Sequence, residues 1–408
     1  MRVPAALAPF RTPSFRFQWP ADLATSWAFE MEMLILGWYI LTETGSVVLL
    51  TLFAALFNLG TLVAPMFGVL GDRIGQRTLL FAMRAAYTIF GTVLTTLIVT
   101  GALSPLYVFI SAGLTGLLRP SDIGVRSALA TATIPPAHLV SALSISRMTA
   151  DSARMFGALT GAGFFYAFGM GTSYLVIIGF YVVSALLTLG TGPEPDRPAK
   201  GVALPSPWRD LKAGMSYILN HRRLRIAMLI AFLINLTAFP FMTGLLPYVA
   251  KHVYGVDQTG LGYLVASMAF GALLGSATLS IAGDRLRPER IMVGSIVTWY
   301  VLILIFAHMT GLAAGIPCLL LAGFAQSLSM VSIAVILMQN AAPQFRGRVM
   351  GVRMLAIYGH PMGLLIAGAL IEQIGFMATA TLYGTLGLGL IVLVALRWRA
   401  DVMERHAI

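Results

Sequence analysis

The amino-acid sequence predicts an all-α integral membrane protein. Of its 408 residues, 58% are hydrophobic and 11% are charged, and the mean hydropathy is +0.84. Soluble domains carry about 25% charged residues, so this composition excludes a soluble fold. Apolar runs recur at about the 20 residues that a helix needs to cross a bilayer with its backbone hydrogen bonds satisfied. Strand alternation is absent, which disfavours an outer-membrane barrel.

The apolar runs predict twelve transmembrane helices in two six-helix, pseudo-symmetric halves. These runs lie between Trp19 and Leu396. The predicted spans are 19–41, 46–70, 78–100, 104–125, 140–168, 172–190, 225–250, 260–282, 290–308, 312–338, 348–371 and 376–396.

The longest polar stretch divides the chain. Residues 191–224 include five prolines and are predicted to be a cytoplasmic linker between an N-terminal half, 1–190, and a C-terminal half, 225–408, with a short cytoplasmic tail. From Trp208 onward, charged and apolar residues alternate with helical spacing. This pattern is typical of a helix on the inner membrane surface, acting as a structural tether or as a regulatory element.

Basic residues predict the orientation. Arginine and lysine gather before span 1, in every second loop, in the linker and after span 12, whereas only Lys251 falls on the opposite side. Because basic loops stay cytoplasmic, both termini are predicted to be cytoplasmic. The net charge of +11 therefore indicates topology and anionic lipid headgroups rather than nucleic acid.

A charged turn follows span 2 and partly recurs after span 8. The first copy has Gly68, Asp72, Arg73, Gly75 and Arg77. Glycines allow close helix approach and a tight turn, and the charges can pair in one conformation and separate in another. The second copy keeps three of these positions, namely Gly283, Asp284 and Arg285.

These features resemble the major facilitator superfamily, whose loop signature is glycine, three residues, aspartate, a basic residue, any residue, glycine and two basic residues. The chain departs at Gln76, which is basic in the signature. The stretches 119–163 and 339–351 resemble a branch of bacterial exporters that includes enterobactin-exporter-like and drug-efflux permeases. The resemblance implies two six-helix halves, a functional monomer, and a loop that latches the inner side of the outward-open state.

Acidic residues in span 1 are candidate proton carriers, because ionisable groups in hydrocarbon are expensive and usually functional. Glu30 and Glu32 lie mid-way along the span with no basic neighbour in sequence, and Asp22 lies near its inner end. On a helix, Glu30 and Glu32 point about 200° apart, so they are expected to face different surroundings.

Further candidates lie in later spans. Arg147, Asp151 and Arg154 fall on one face of span 5, and Arg119 and Asp122 lie in span 4. The family resemblance suggests Asp122 as a partner of Arg73 or Arg77, and inner-end ion pairing is the alternative. The C-terminal half offers Asn235, Gln326 and His360. Pro361 is expected to kink span 11, and His360 is expected to hydrogen-bond the backbone that the kink frees. Small residues at Gly157, Gly161 and Gly163 resemble a degenerate antiporter motif, and such residues also pack helices in any membrane bundle.

The resulting hypothesis is a proton-driven exporter of an amphipathic small molecule in a bacterial cytoplasmic membrane. A symporter or facilitator that imports a small organic solute or anion is the alternative. An anion would favour Arg119, Arg147 and Arg154 as ligands, whereas a cation would favour Glu30 or Glu32. No nucleophile elbow, phosphate loop or metal-binding histidine pair occurs, so no enzyme activity, metal or cofactor is expected.

Overall fold

The structure is a computed structural model that describes residues 5–61, 63–192, 207–282 and 287–397. Within these ranges the chain is helical apart from turns and short connections. The longer helices are α1 (Pro13–Thr44), α2 (Val47–Leu56), α3 (Ala64–Ile74), α4 (Gln76–Val99), α5 (Pro105–Thr133), α6 (Pro136–Leu189), α7 (Pro207–Asn220), α8 (Arg222–Thr237), α9 (Gln258–Ala282), α10 (Pro288–Ala307), α11 (Leu312–Asn340), α12 (Arg346–Ala356) and α13 (Gly359–Arg397).

Two long helices bend at a glycine. Gly169 in α6 has φ 75° and ψ 178°, and Gly375 in α13 has φ 81° and ψ 166°. Side chains rarely tolerate this backbone region, so glycine permits the bend. Both bends fall in gaps between predicted spans, 169–171 and 372–375, so those boundaries agree with the structure.

Predicted spans 2 and 7 are wrong as continuous helices, and span 11 is broken at its expected kink. Span 2 is split into α2 and α3, and Pro65 lies in the first turn of α3. Span 7 ends as α8 at Thr237 and continues only as the short segments Phe239–Met242, Leu246–Tyr248 and Val249–Val253. Span 11 is interrupted between α12 and α13, just before Pro361. Prolines near each break explain it, since proline lacks the amide donor that a continuing helix needs.

By length and apolar composition, six helical stretches of the described chain are able to cross a bilayer. They are Gln76–Val99, Ser141–Leu189, Gln258–Leu279, Pro288–Ala307, Leu312–Asn340 and Pro343–Arg397. The second and last contain the glycine bends. The all-α membrane class is therefore confirmed, whereas the count of twelve spans stays a prediction.

The chain forms two compact units. The first comprises Met1–Thr44 and Leu56–Leu204, and the second comprises Gly45–Ala55 and Pro205–Ile408. The second unit thus includes α7, which the sequence assigned to the linker. It also includes most of α2, which the sequence assigned to the N-terminal half.

Helix packing in the first unit places α4 against α5. Leu80 and Met83 of α4 pack with Val125 and Leu129 of α5 in a buried apolar cluster. In the second unit, α13 presents exposed leucines at positions 382, 386, 390 and 393 along one stripe. Such a stripe suits hydrocarbon rather than water.

Candidate functional site

The acidic residues of α1 lie against the first part of α6, where the two helices approach closely. A side chain at Gly157 would begin 2.9 Å from Glu30 Cβ, and one at Gly161 would begin 3.0 Å from Met31 Cα. Gly163 faces open space, so its predicted role in packing is wrong. Only two of the three glycines therefore bring the backbones together.

Glu30 is paired with a basic residue of α6. Its Oε1 lies 3.6 Å from Arg154 Nε, and the two side chains are 18% and 43% exposed, respectively. Trp27, one turn earlier on α1, stacks on Phe156, and its indole N–H donates a hydrogen bond to Thr160. The ion pair and the aromatic stack therefore start from residues one helical turn apart on α1.

Glu32 has a closed environment. The Glu32 residue is 3% exposed, and the hydroxyls of Tyr181 and Tyr174 donate to its two carboxylate oxygens at 2.8 and 3.4 Å. Both tyrosines belong to the second part of α6, beyond the bend at Gly169. The two glutamates thus meet different parts of α6, as their angular separation on the helix requires.

The predicted stripe on span 5 contains two separate ion pairs. Arg147 Nε lies 3.2 Å from Asp151 Oδ2, one turn along α6, and Asp151 is buried while Arg147 is exposed. Arg154, the third member, reaches Glu30 on α1. Each arginine of the stripe therefore has an acidic partner within the first unit.

Asp22 forms a buried ion pair with Arg84 of α4, a residue that the sequence analysis missed. Arg84 Nη2 donates to Asp22 Oδ1, and Arg84 Nη1 donates to the hydroxyl of Thr188 in α6. The Arg84 side chain is fully buried. The rule applied to Glu30 would have found it, because Arg84 is an ionisable residue inside the predicted span 78–100.

Asp122 is fully buried, and neither of its oxygens has a hydrogen-bond partner among the described residues. It interacts electrostatically with Asp22 and with Tyr87. Within the described chain, no ion pair joins Asp122 to Arg73 or Arg77, so the predicted pairing is absent from this conformation. Asp122 instead neighbours the ion pair of Asp22.

Arg119, one turn earlier on α5, lies over the ring of Phe29. The guanidinium carbon is 3.7 Å from the ring centroid, which is a cation–π geometry. Its Nη1 is buried and has no hydrogen-bond partner in the part of the chain that the structure describes. Arg119 therefore retains an unused hydrogen-bond donor.

The charged turn after α3 is formed by Gly75, which has φ 97° and ψ 135° and joins α3 directly to α4. The amide of Gly75 donates to Gly71 O at 2.8 Å. Arg73 is exposed, and Arg77 donates to Leu189 O. The surroundings of Gly68, the side chain of Asp72, and the second copy, Gly283, Asp284 and Arg285, lie outside what the structure describes.

Replacing Gly75 by alanine is expected to lower the free energy of unfolding by about 1–3 kcal/mol, because a Cβ is strained at this positive φ. Gly124→Ala is the matched control, since Gly124 is helical and has open space around it. That change is expected to stabilise by about 0.5–1 kcal/mol. Thermal unfolding in detergent measures both, and equal stability of the two variants would contradict the role of Gly75.

The candidate residues of the second unit lie on three different helices, α8, α11 and α13. The amide of Asn235 donates to Ala231 O within α8 at 2.8 Å, and Gln326 is buried in α11. His360 shares a hydrogen bond of 2.9 Å between its Nε2 and the hydroxyl of Thr243. The predicted contact of the His360 ring with freed backbone is therefore replaced by a side-chain contact.

Comparison with known proteins decides the family. The model of the Major Facilitator Superfamily matches residues 21–358, and a second match covers 228–407. The chain belongs to the major facilitator superfamily. Members of this superfamily are membrane transporters, so the chain is a membrane transporter rather than an enzyme, and its partner is a small-molecule substrate.

Relatives within the superfamily include transporters and exporters. An uncharacterized MFS-type transporter, YuxJ of Bacillus subtilis, is 24% identical over 82% of this chain and 83% of its own length. The enterobactin exporter EntS of Salmonella choleraesuis is 24% identical over 81% of this chain and 79% of its own length. The multidrug efflux pump Tap of Mycolicibacterium fortuitum is 30% identical over 30% of each chain.

Solved structures share the superfamily fold. The POT family transporter PepTSo has a TM-score of 0.77 at 13% identity and covers 97% of this chain and 99% of its own. The nucleoside transporter NupG has a TM-score of 0.71 at 14% identity, with coverage of 96% and 100%. At these identities the likeness shows the fold alone.

Proposed function

We propose that this transporter is a proton-coupled exporter of an amphipathic small molecule, working by alternating access, and that Glu30 with Arg154 is its coupling pair. The observation that carries the proposal is the partly exposed ion pair of Glu30 and Arg154, 3.6 Å apart, one helical turn of α1 from Trp27, which stacks on Phe156. Antiport requires that a proton and a substrate compete for one group.

The geometry supports competition at Glu30 rather than at Glu32. Partly exposed ion pairs contribute only about 0–1 kcal/mol, so a proton or a cationic substrate is able to displace Arg154 from Glu30. Glu32 is 3% exposed and held by two tyrosine hydroxyls, so a substrate has no access to it. Glu32 therefore serves to hold α1 against α6.

Neighbouring groups support an amphipathic substrate. Phe156 is exposed, and Trp27, one helical turn from Glu30, stacks on Phe156 and on Phe180 with ring centroids 6.0 Å apart in both pairs. Aromatic faces attract apolar groups and cations, and the carboxylate attracts positive charge. The exporter and efflux-pump relatives support outward transport.

Import of an organic anion is the second candidate function. It is supported by Arg119 Nη1, a buried donor with no hydrogen-bond partner among the described residues. A carboxylate or phosphate on a substrate would satisfy this donor. Arg147 and Arg154 support it less, because each already has an acidic partner.

The remaining parts of the proposal concern location and assembly. The basic loops and the bacterial relatives support a bacterial cytoplasmic membrane with both termini in the cytoplasm. The proposal also includes a functional monomer built from two pseudo-symmetric halves, 1–190 and 225–408. Nucleic acid is not among its proposed partners. Asp72, Arg73, Gly75 and Arg77 would form the inner latch.

Proteoliposomes with an imposed pH gradient test the coupling. A panel of amphipathic cations and siderophore-like anions is offered to the wild type, Glu30→Gln and Glu32→Gln, and proton counterflow is recorded. Glu30→Gln is expected to reduce substrate-driven proton flux to that of protein-free vesicles. Glu32→Gln is the matched control and is expected to retain coupled flux.

Three other outcomes would change the assignment. Loss of proton flux in Glu32→Gln alone would move the coupling carboxylate to Glu32. Solute that equilibrates without proton movement in all three proteins would favour a uniporter over the exporter. Uptake of anions that is lost in Arg119→Gln and kept in Glu30→Gln would favour the import function.

A further inference from the structure

Helix α7 has one side docked on the second unit. Asp210 accepts a hydrogen bond of 2.9 Å from Arg348 Nε of α12, and the ring of Tyr217 stacks on Phe345 with centroids 4.1 Å apart. Gly214 faces the backbone of α12, where a side chain would begin 2.9 Å from Arg348 O. This side of α7 is therefore packed against other residues of the second unit.

The opposite side of α7, the open side, is exposed and carries both apolar and basic side chains. Trp208 and Leu219 are 60% and 52% exposed, although both are large and apolar. Arg209 and Lys212 are also exposed. Around the axis of α7, Leu219 lies about 20° from Trp208. Lys212 and Arg209 lie about 40° and 100° from Trp208 in the same direction. An apolar edge thus borders a basic strip.

The C-terminal end of α7 lies next to the start of a helix that begins a predicted span. Only His221 separates α7 from α8, and Arg225 Nη1 donates to Leu219 O at 3.1 Å. Arg222 and Arg225 at the start of α8 are exposed. Arginines at the end of a span sit at headgroup level, which brings Leu219 to the same level.

We propose that this open side of α7, formed by Trp208, Arg209, Lys212 and Leu219, binds anionic lipid headgroups of the leaflet at which α8 begins. Trp208 and Leu219 enter the boundary between headgroups and acyl chains, and Arg209 and Lys212 contact the phosphates. An apolar edge with tryptophan and leucine beside basic residues is the pattern that interfacial helices use. Basic side chains gain attraction from an anionic surface, and a zwitterionic surface offers much less.

A spin label on the intact protein tests the proposal. The chain has one cysteine, Cys318, so Cys318→Ala allows single labels at Leu219→Cys and at the neighbouring Asn220→Cys. Each protein is reconstituted in phosphatidylcholine vesicles with and without phosphatidylglycerol, and collisions with oxygen and with a water-soluble nickel complex are compared. The label at position 219 is expected to favour oxygen when phosphatidylglycerol is present. The label at position 220, which lies about 20° from Arg209 on the basic strip, is expected to favour oxygen less strongly than the label at position 219.

Charge variants separate lipid recognition from simple proximity to the bilayer. Arg209→Gln with Lys212→Gln is expected to require a several-fold higher fraction of phosphatidylglycerol for the same oxygen exposure at position 219. Arg287→Gln with Arg290→Gln removes the same charge from exposed positions at the start of α10 and is expected to leave the response unchanged.

Either of two results would overturn the proposal. A label at position 219 that favours nickel in both vesicles would show that the open side faces water. An equal response of both charge variants to phosphatidylglycerol would show that Arg209 and Lys212 do not recognise the headgroups. Neither result depends on the transported substrate.

Discussion

Arg84→Gln is expected to lower the free energy of unfolding by about 3–5 kcal/mol, because it leaves the Asp22 carboxylate buried without its ionic partner. Arg84 is fully buried and connects three helices, since it donates to Asp22 of α1 and to Thr188 of α6 from its place on α4. Removing one residue of a buried ion pair lowers the free energy of unfolding more than replacing both residues does.

The double variant Asp22→Asn with Arg84→Gln supplies the control. It removes the uncompensated charge, so it is expected to be more stable than Arg84→Gln alone. Thermal or denaturant unfolding of the purified protein in one detergent measures all three proteins. If Arg84→Gln is as stable as the wild type, the Asp22–Arg84 pair contributes nothing to the stability of the first unit.

Gly161→Leu is expected to destabilise the first unit by about 1–3 kcal/mol or more and to abolish transport, because even a Cβ there would lie 3.0 Å from Met31 Cα. The backbone of α1 cannot yield as the end of a flexible side chain can. Forcing α1 and α6 apart would also separate Glu30 from Arg154, whose atoms are 3.6 Å apart.

Gly163→Leu is the matched control for this change. Gly163 is two residues further along α6, and a Cβ there meets nothing within 4 Å. This variant is expected to keep wild-type stability and transport, which unfolding in detergent and flux in proteoliposomes measure. Similar losses in both variants would mean that bulk on α6, rather than the close approach to α1, is responsible.

Helical period predicted relations within one element correctly. Arg147 and Asp151, one turn apart on the predicted span 5, form an ion pair, and Glu30 and Glu32 point to different surroundings. Such relations depend only on the geometry of a single helix. The same reasoning failed for Gly163, because its spacing relative to Gly157 and Gly161 does not state which side of α6 meets α1.

Partners from distant parts of the chain were beyond sequence reasoning. Tyr174 and Tyr181 lie in an apolar run without charge, so nothing in the local sequence connects them with Glu32, which is more than 140 residues earlier. Breaks in the predicted spans 2 and 7 were missed for a related reason, whereas Pro361 indicated the break in span 11. A proline in an apolar run allows either a kink or a new helix, and neighbouring helices decide between them.

By itself the sequence determined that this protein is a helical membrane protein with charge concentrated in its N-terminal spans, because the bilayer imposes length, composition and backbone hydrogen bonding on every span. Its loop motif also determined the resemblance to the superfamily, to which the chain belongs. Only the tertiary structure decided that Glu30 meets Arg154, that Glu32 meets two tyrosines and that Asp22 meets Arg84. Those pairings depend on how helices pack, and packing depends on the shapes of whole surfaces rather than on the spacing of residues along one helix.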